Sequence, residues 1–172
     1  MENREIEVLL SKEEIEGRIA EMAKQIDADF PDGELVVVGV LKGSFIFMAD
    51  LVRQISRPLA CDFIRVSSYE SDQSTGVVRM EFDMTQPIAG KDVLLVEDIV
   101  DTGRTLRYLI SHLEAKNARK LKVASMLYKE MGTDSKRLVD YIGFEVPKRF
   151  VVGYGLDSEG VYRSLPYVGA FK

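Results

Sequence analysis

The sequence holds one cysteine, one histidine and no tryptophan. A lone cysteine excludes a framework of internal disulfides, and a lone histidine excludes both a catalytic histidine pair and a metal site built from several histidines. Cys61 falls in the alternation Leu59, Cys61, Phe63, which reads as a buried core thiol and not as a nucleophile. His112 lies off the apolar stripe of its segment and reads as exposed. Long apolar runs are missing as well: no stretch approaches the roughly 20 residues that cross a membrane. The first residues, MENREIEVLL, lack the apolar core of a secretion signal, so a cytoplasmic protein without membrane attachment is expected. Basic charge is in the minority, with 23 Lys and Arg against 28 Asp and Glu, and the net charge of -5 gives no general support for nucleic-acid binding. Repeats, low-complexity tracts and linkers are absent too, and 172 residues fit one domain, residues 1–172, with a full core.

What the sequence does contain is Val93–Leu106, VLLVEDIVDTGRTL. Val93, Leu94, Leu95 and Val96 form a continuous apolar run, the pattern of a strand buried on both faces in a parallel sheet. The run ends in two adjacent carboxylates, Glu97 and Asp98, and then in Asp101-Thr102-Gly103-Arg104-Thr105, after which an amphipathic segment begins at Leu106. Free N–H groups at a helix start attract an anion, and the small residues Thr102, Gly103 and Thr105 let a phosphate reach the backbone. Glu97 and Asp98 would repel that phosphate, so they face something else, either vicinal sugar hydroxyls or a divalent cation. A sugar with a phosphate at one end and hydroxyls in its middle satisfies both halves. The plainer alternative makes Asp101 or Thr102 an N-cap and the acidic pair a solvated strand end.

Further units follow the same plan. Ser11-Lys12-Glu13-Glu14 reads as a capping box, with Ile15, Ile19, Met22, Ala23 and Ile26 at helical spacing behind it. Leu35–Val40 is a buried strand that runs into Leu41-Lys42-Gly43-Ser44 and a helix from Phe45 to about Ile55. Leu121–Tyr128 is another, ending in Lys129, and Val139–Val146 and Phe150–Leu156 read as two more. Consecutive βα units predict a parallel sheet whose ligands gather beyond the carboxyl ends of the strands. On that rim Lys42 and the N–H groups around Gly43 can hold a second phosphate; read alone, Lys42 is a charged residue before a helix, and Lys129 a solvated strand end. Between strands at Leu59–Val66 and Val78–Phe82 lie ten residues, Ser67–Gly76, longer than a plain hairpin needs and rich in hydroxyls, which read as a mobile lid. The basic run Lys116, Arg119, Lys120 and Lys122 is accounted for by solvation and by the dipole of the helix before it.

The apolar run, Glu97-Asp98, Asp101-Thr102-Gly103 and Thr105 resemble the phosphoribosyl pyrophosphate motif of the type I phosphoribosyltransferases. Over nearly its full length the chain is similar to the members of that family that act on 6-oxopurines. The resemblance implies an α/β fold: a mainly parallel twisted sheet flanked by helices, with a small hood from the terminal segments and a lid loop in which Ser68 and Tyr69 match a Ser-Tyr pair that closes over the site. It implies that Lys42, Gly43, Glu97, Asp98, Asp101, Thr102, Gly103, Arg104, Thr105 and Arg163 bind phosphoribosyl pyrophosphate, with a cis peptide at Leu41–Lys42. Asp101 matches the aspartate that takes the proton from purine N7. Lys129 matches the lysine that bonds the 6-oxo group; an ammonium has donors only, so it accepts a keto oxygen and disfavours adenine. Phe150 would stack on the purine, Val151 would read its edge through the backbone, and Asp157 would lie with Val151 near the purine 2-position and join Glu97 and Asp98 in holding Mg2+.

The activity implied is transfer of ribose 5-phosphate from phosphoribosyl pyrophosphate to N9 of hypoxanthine or guanine, by a homodimer or homotetramer. The rival from another class is a regulator that senses phosphoribosyl pyrophosphate with the same fold while binding RNA or DNA. The acidic net charge, the lack of an added DNA-binding domain, Asp101 and Lys129 speak against it.

Overall fold

The computed structural model describes residues 5–69 and 77–172. Most of the lid expected at Ser67–Gly76 therefore lies outside the described residues. In chain order the elements are β1 (Ile6–Leu10), α1 (Lys12–Asp29), β2 (Leu35–Leu41), α2 (Phe45–Gln54), β3 (Leu59–Tyr69), β4 (Val77–Phe82), β5 (Asp92–Val100), α3 (Arg104–Glu114), β6 (Lys120–Lys129), a 3-10 turn (Asp134–Leu138), β7 (Tyr141–Val146), β8 (Val151–Val152) and β9 (Val168–Phe171). Among the described residues no helix is long and apolar enough to cross a membrane.

The apolar runs become the strands of a six-stranded sheet in the order β4-β3-β2-β5-β6-β7, with β4 antiparallel at one edge and the rest parallel. Both faces of the central strands are covered. Val37, Leu94 and Val96 point to a layer made by Ile15, Ile19 and Met22 of α1 and Phe47 and Leu51 of α2. Val36, Val38, Val93 and Leu95 point the other way, to Leu106, Leu109 and Leu113 of α3. A strand covered on both sides has nowhere to place a polar side chain except its ends, and this concentrates the chemistry there. The order also reverses between β2 and β5: from β2 the chain crosses to β3, and from β5 to β6 and β7 in the opposite direction. A crevice opens beyond the carboxyl ends at such a switch point. The loops after β2 and β5 flank it.

Helix α1 starts with the expected capping box: Glu14 N–H donates to Ser11 Oγ at 3.2 Å and Ser11 N–H donates to Glu14 Oε2 at 2.8 Å. The chain termini form a second, three-stranded sheet, β1-β9-β8, which is the hood. Neither β1 nor β9 is evident in the sequence, because each depends on a partner at the far end of the chain, as in the pairing of Ile6 with Phe171. The strand expected at Phe150–Leu156 shrinks to Val151–Val152: Gly153, Tyr154 and Gly155 all have positive φ, which ends extended backbone.

Other expectations change in the folded chain. Cys61 is exposed, since β4 pairs only with Arg65–Tyr69 and leaves β3 as the sheet edge at that point. Partial burial still pushes the thiol pKa up. His112 is half-buried, with Nε2 3.0 Å from Asp83 Oδ2 and its ring stacked on Tyr108. The basic run after α3 does more than meet a dipole. Arg119 donates from Nε and Nη2 to the two oxygens of the buried Asp92, at 2.9 and 2.8 Å, and Lys122 pairs with Asp29 at 2.7 Å. These contacts pin the amino ends of β5 and β6, the sheet edge opposite the crevice.

The segment after β4 is tied back by Asp62, a buried residue of β3 whose carboxylate accepts N–H groups from Phe63, Thr85 and Gln86 at 2.6–2.8 Å. Burial acts to raise this carboxyl's pKa, but the N–H groups of Gln86, Phe63 and Thr85 together hold it below the usual carboxylate value. With a depressed folded pKa, the stabilisation is complete above the unfolded value of about 3.9 and fades as pH falls through the folded one. Asp62→Ala should therefore cost roughly 2 kcal/mol at pH 7. Urea unfolding of wild type and variant at neutral and strongly acidic pH should show the difference shrink on the acid side.

Candidate active site

Strand β5 carries the acidic pair inside the strand and not past its end, since pairing with β6 continues to Val100 opposite Tyr128. Glu97 is 6% exposed and Asp98 is half-buried. The turn that follows reverses into α3 at Gly103, whose φ is 75°. No side chain caps α3, so neither Asp101 nor Thr102 is an N-cap. The first N–H groups of the helix are therefore left without a side-chain cap, as an anion site requires. Asp101 and Thr102 are exposed, and the Asp101 carboxylate accepts the Thr102 N–H at 2.5 Å.

The loop after β2 comes in beside this turn. The Leu41–Lys42 peptide is cis, as the resemblance implied. Ser44 is fully buried and its hydroxyl donates to the Val40 carbonyl at 2.7 Å, which closes the loop onto its own strand. Gly43 lies directly against the Asp98 carboxylate, where any Cβ would collide with it. On its other side the Gly43 carbonyl meets Gly155, whose φ is 100° and which likewise has no room for a Cβ. Arg163 then donates from Nη1 to the Gly155 carbonyl at 2.5 Å and pairs through Nη2 with Asp157 at 2.5 Å. Asp98, Gly43, Gly155, Arg163 and Asp157 thus form one continuous line of contacts from three distant parts of the chain.

Beside this line is a cavity of about 210 Å³ lined by Lys42, Gly43, Glu97, Asp98, Asp101, Gly103 and Thr105, among others. Thr102 and Arg104 belong to the same turn and stand outside the lining. Burial raises the pKa of Glu97 well above the ordinary value, and the charges of Asp98 and Asp101 add to this. Asp98 is raised by burial as well, with the Ile99 N–H and Arg163 pulling against it. Among the described residues neither carboxylate has an ion pair, and no three His, Cys, Asp or Glu residues gather into a group that could hold a metal by themselves. Two hard oxygen donors in one cavity nevertheless suit Mg2+, which keeps several waters and fills its other positions with substrate oxygens. Asp157 does not join them in the lining; its carboxylate is engaged by Arg163 and by the Gly160 N–H at 2.8 Å.

The residues assigned to the base lie on β6 and in the hood, outside the lining of this cavity. Val100 and Tyr128 are partners on β5 and β6; Asp101 follows the first in the turn, and Lys129 follows the second at the end of β6. Phe150 is 60% exposed and stacks on Phe171 across the hood sheet, with ring centroids 6.3 Å apart. Val151 is buried and paired with Ala170. Ser68 and Tyr69 close strand β3 opposite Val78 and Val77, so they leave from a strand end and not from within a loop. Sequence reasoning missed Ser44 and Gly155. Only the glycine carries a signal, and a glycine in an apolar run does not show what it is pressed against.

The Gly155 contact can be tested against Gly160, which also has positive φ (84°) but opens into free space. Gly160→Ala should cost about 1 kcal/mol of backbone strain. Gly155→Ala adds the collision with the Gly43 carbonyl, so thermal unfolding should show a loss at least twice as large.

Comparison with known proteins identifies the family. A model of the phosphoribosyl transferase domain matches residues 5–159. The chain is 44% identical over 171 residues to the hypoxanthine-guanine phosphoribosyltransferase of Dictyostelium discoideum, covering 96% of this chain and 95% of that protein. It is 42% identical over 166 residues to the enzyme of that name from Bacillus subtilis, covering 96% and 92%. A crystal structure of a hypoxanthine-guanine phosphoribosyltransferase from Bacillus anthracis, 40% identical, superposes with a TM-score of 0.90 over 98% of both chains. With sequence and backbone both shared end to end, this chain belongs to the phosphoribosyl transferase domain family and, within it, to the hypoxanthine-guanine phosphoribosyltransferases.

Proposed function

We propose that the protein transfers ribose 5-phosphate from phosphoribosyl pyrophosphate to N9 of hypoxanthine or guanine, releasing pyrophosphate and forming IMP or GMP, a purine-salvage reaction. The observation that supports this reading is the cavity lined by Lys42, Glu97, Asp98 and Asp101, where Asp101 follows Val100 of β5 and Lys129 follows its β6 partner Tyr128. On a 6-oxopurine the keto oxygen and N7 share one edge. A lysine for the first and a carboxylate for the second match that edge, and adenine, with an amino group in place of the oxygen, meets a donor facing a donor.

The reaction breaks the bond from the sugar C1 to the pyrophosphate oxygen and forms the bond to N9. The uncapped start of α3, with Thr102, Gly103, Arg104 and Thr105, binds the 5′-phosphate through backbone N–H groups. Glu97 and Asp98 face the ribose hydroxyls. Negative charge grows on the departing pyrophosphate, and Lys42, the N–H groups around Gly43, and Arg163 meet it. Asp101 takes the proton from N7 as N9 bonds to carbon. Phe150 stacks on the ring, Val151 presents its backbone to the edge, and Ser68 and Tyr69 begin the lid that keeps water from the cationic sugar. Mg2+ held by Glu97 and Asp98, with Asp157 near the pyrophosphate, supplies neutralisation of the leaving charge when bound. The working form is a cytoplasmic homodimer or homotetramer, without nucleic acid or membrane.

Pyrophosphate release, measured with hypoxanthine, guanine, xanthine, adenine and uracil offered separately, tests the reading. Release is expected with 6-oxopurines and not with adenine, and it should stop on chelation of divalent cations and return with magnesium. Release with uracil alone would overturn the base assignment. Asp101→Asn should keep the fold and lower turnover by roughly 10²–10⁴-fold, the usual cost of losing a general base. Near-normal turnover in that variant would remove Asp101 from the mechanism.

A further inference from the structure

The loop between β6 and β7 has no part in the mechanism above, yet one of its residues touches the catalytic turn at both ends. Ser135, in the 3-10 turn Asp134–Leu138, is 0% exposed. Its hydroxyl donates to the Asp101 carbonyl at 2.6 Å. The same oxygen accepts from Thr133 Oγ1 at 2.9 Å and lies 3.4 Å from the Tyr128 hydroxyl. Its Cβ supports the other end of the turn, since a Cβ built on Gly103 would come within 2.7 Å of it, with Leu138 Cδ1 next at 3.2 Å. The Asp101 carboxylate itself bonds to its own neighbour Thr102. Where that carboxylate points is therefore decided by how the turn is held, and Ser135 holds it.

Ser135 also reaches the other half of the base-reading pair, because Tyr128 immediately precedes Lys129. Two neighbouring atoms of one purine edge must be met together, so the spacing of Asp101 and Lys129 matters as much as the presence of either. We propose that Ser135 is a positioning residue for the transfer reaction: its buried hydroxyl sets the Asp101 turn at the correct distance from the Lys129 strand end. This inference rests on the reading of Asp101 as base and Lys129 as selector.

The test is a double-mutant cycle with hypoxanthine, crossing Ser135→Ala with Asp101→Asn and reading kcat, and KM for phosphoribosyl pyrophosphate, in all four proteins. Ser135→Ala should lower kcat roughly 10- to 100-fold, the cost of a small misplacement of a reacting group, and leave that KM within about twofold. On Asp101→Asn the same change should cost less than about twofold, because the group it positions is already gone. An equal fractional loss in both backgrounds would assign Ser135 to packing alone and overturn the proposal while leaving Asp101 as the base. An unchanged kcat in Ser135→Ala overturns it directly. Normal turnover in Asp101→Asn by itself removes the base assignment, and the Ser135 proposal falls with it. Ser135→Cys keeps the volume under Gly103 with a much weaker donor, so it carries the same cycle where the alanine variant does not fold.

Discussion

Parallel pairing of β2 with β5 is the constraint on which the molecule rests. Val36, Val37, Val38, Val93, Leu94, Leu95 and Val96 are all 0% exposed, enclosed between the α1–α2 layer on one face and α3 on the other. A side chain with unmet hydrogen bonds cannot sit in that interval without a large cost. Polar chemistry is displaced to the strand ends, and parallel strands all end on the same rim. Because the chain leaves β2 and β5 in opposite directions, the loops of Lys42 and Asp101 face one another across an opening.

The two ends of the sheet use charge differently. At the amino ends, Asp92 with Arg119 and Asp29 with Lys122 are matched pairs that fasten strands to neighbouring elements. At the carboxyl ends, Glu97 and Asp98 lie side by side without an ion pair among the described residues; burial raises both pKa values, and the charge of Asp98 raises that of Glu97 further. The close approach of Gly43 to Asp98 and of Gly155 to Gly43 keeps this concentration of charge in place without adding side-chain bulk.

Much of this was legible in the residues. The run Val93–Val96 read as a doubly buried strand because its pattern has no alternation, and the capping box at Ser11 announced α1 through strictly local hydrogen bonds. Errors arose where a partner distant in sequence made the decision. Cys61 sits in an apolar alternation but lies where β3 has no outer neighbour. Phe150–Leu156 has the composition of a strand, yet three successive positive φ values bend it back toward Arg163. The basic residues around Arg119 looked merely solvated, since nothing nearby in sequence shows that Asp92 and Asp29 wait for them.

By itself the sequence determined the βα plan, the acidic strand end followed by a Gly/Thr turn into a helix, and the lysine that ends β6, because burial periodicity and turn chemistry are properties of neighbouring residues. Tertiary structure alone decided that Val100 and Tyr128 stand level, that Gly155 presses on Gly43, that the termini pair into a hood, and that Ser135 bonds to the Asp101 carbonyl. Each of these is a contact between segments far apart in the chain, and such contacts come from strand order and register, which no local pattern encodes.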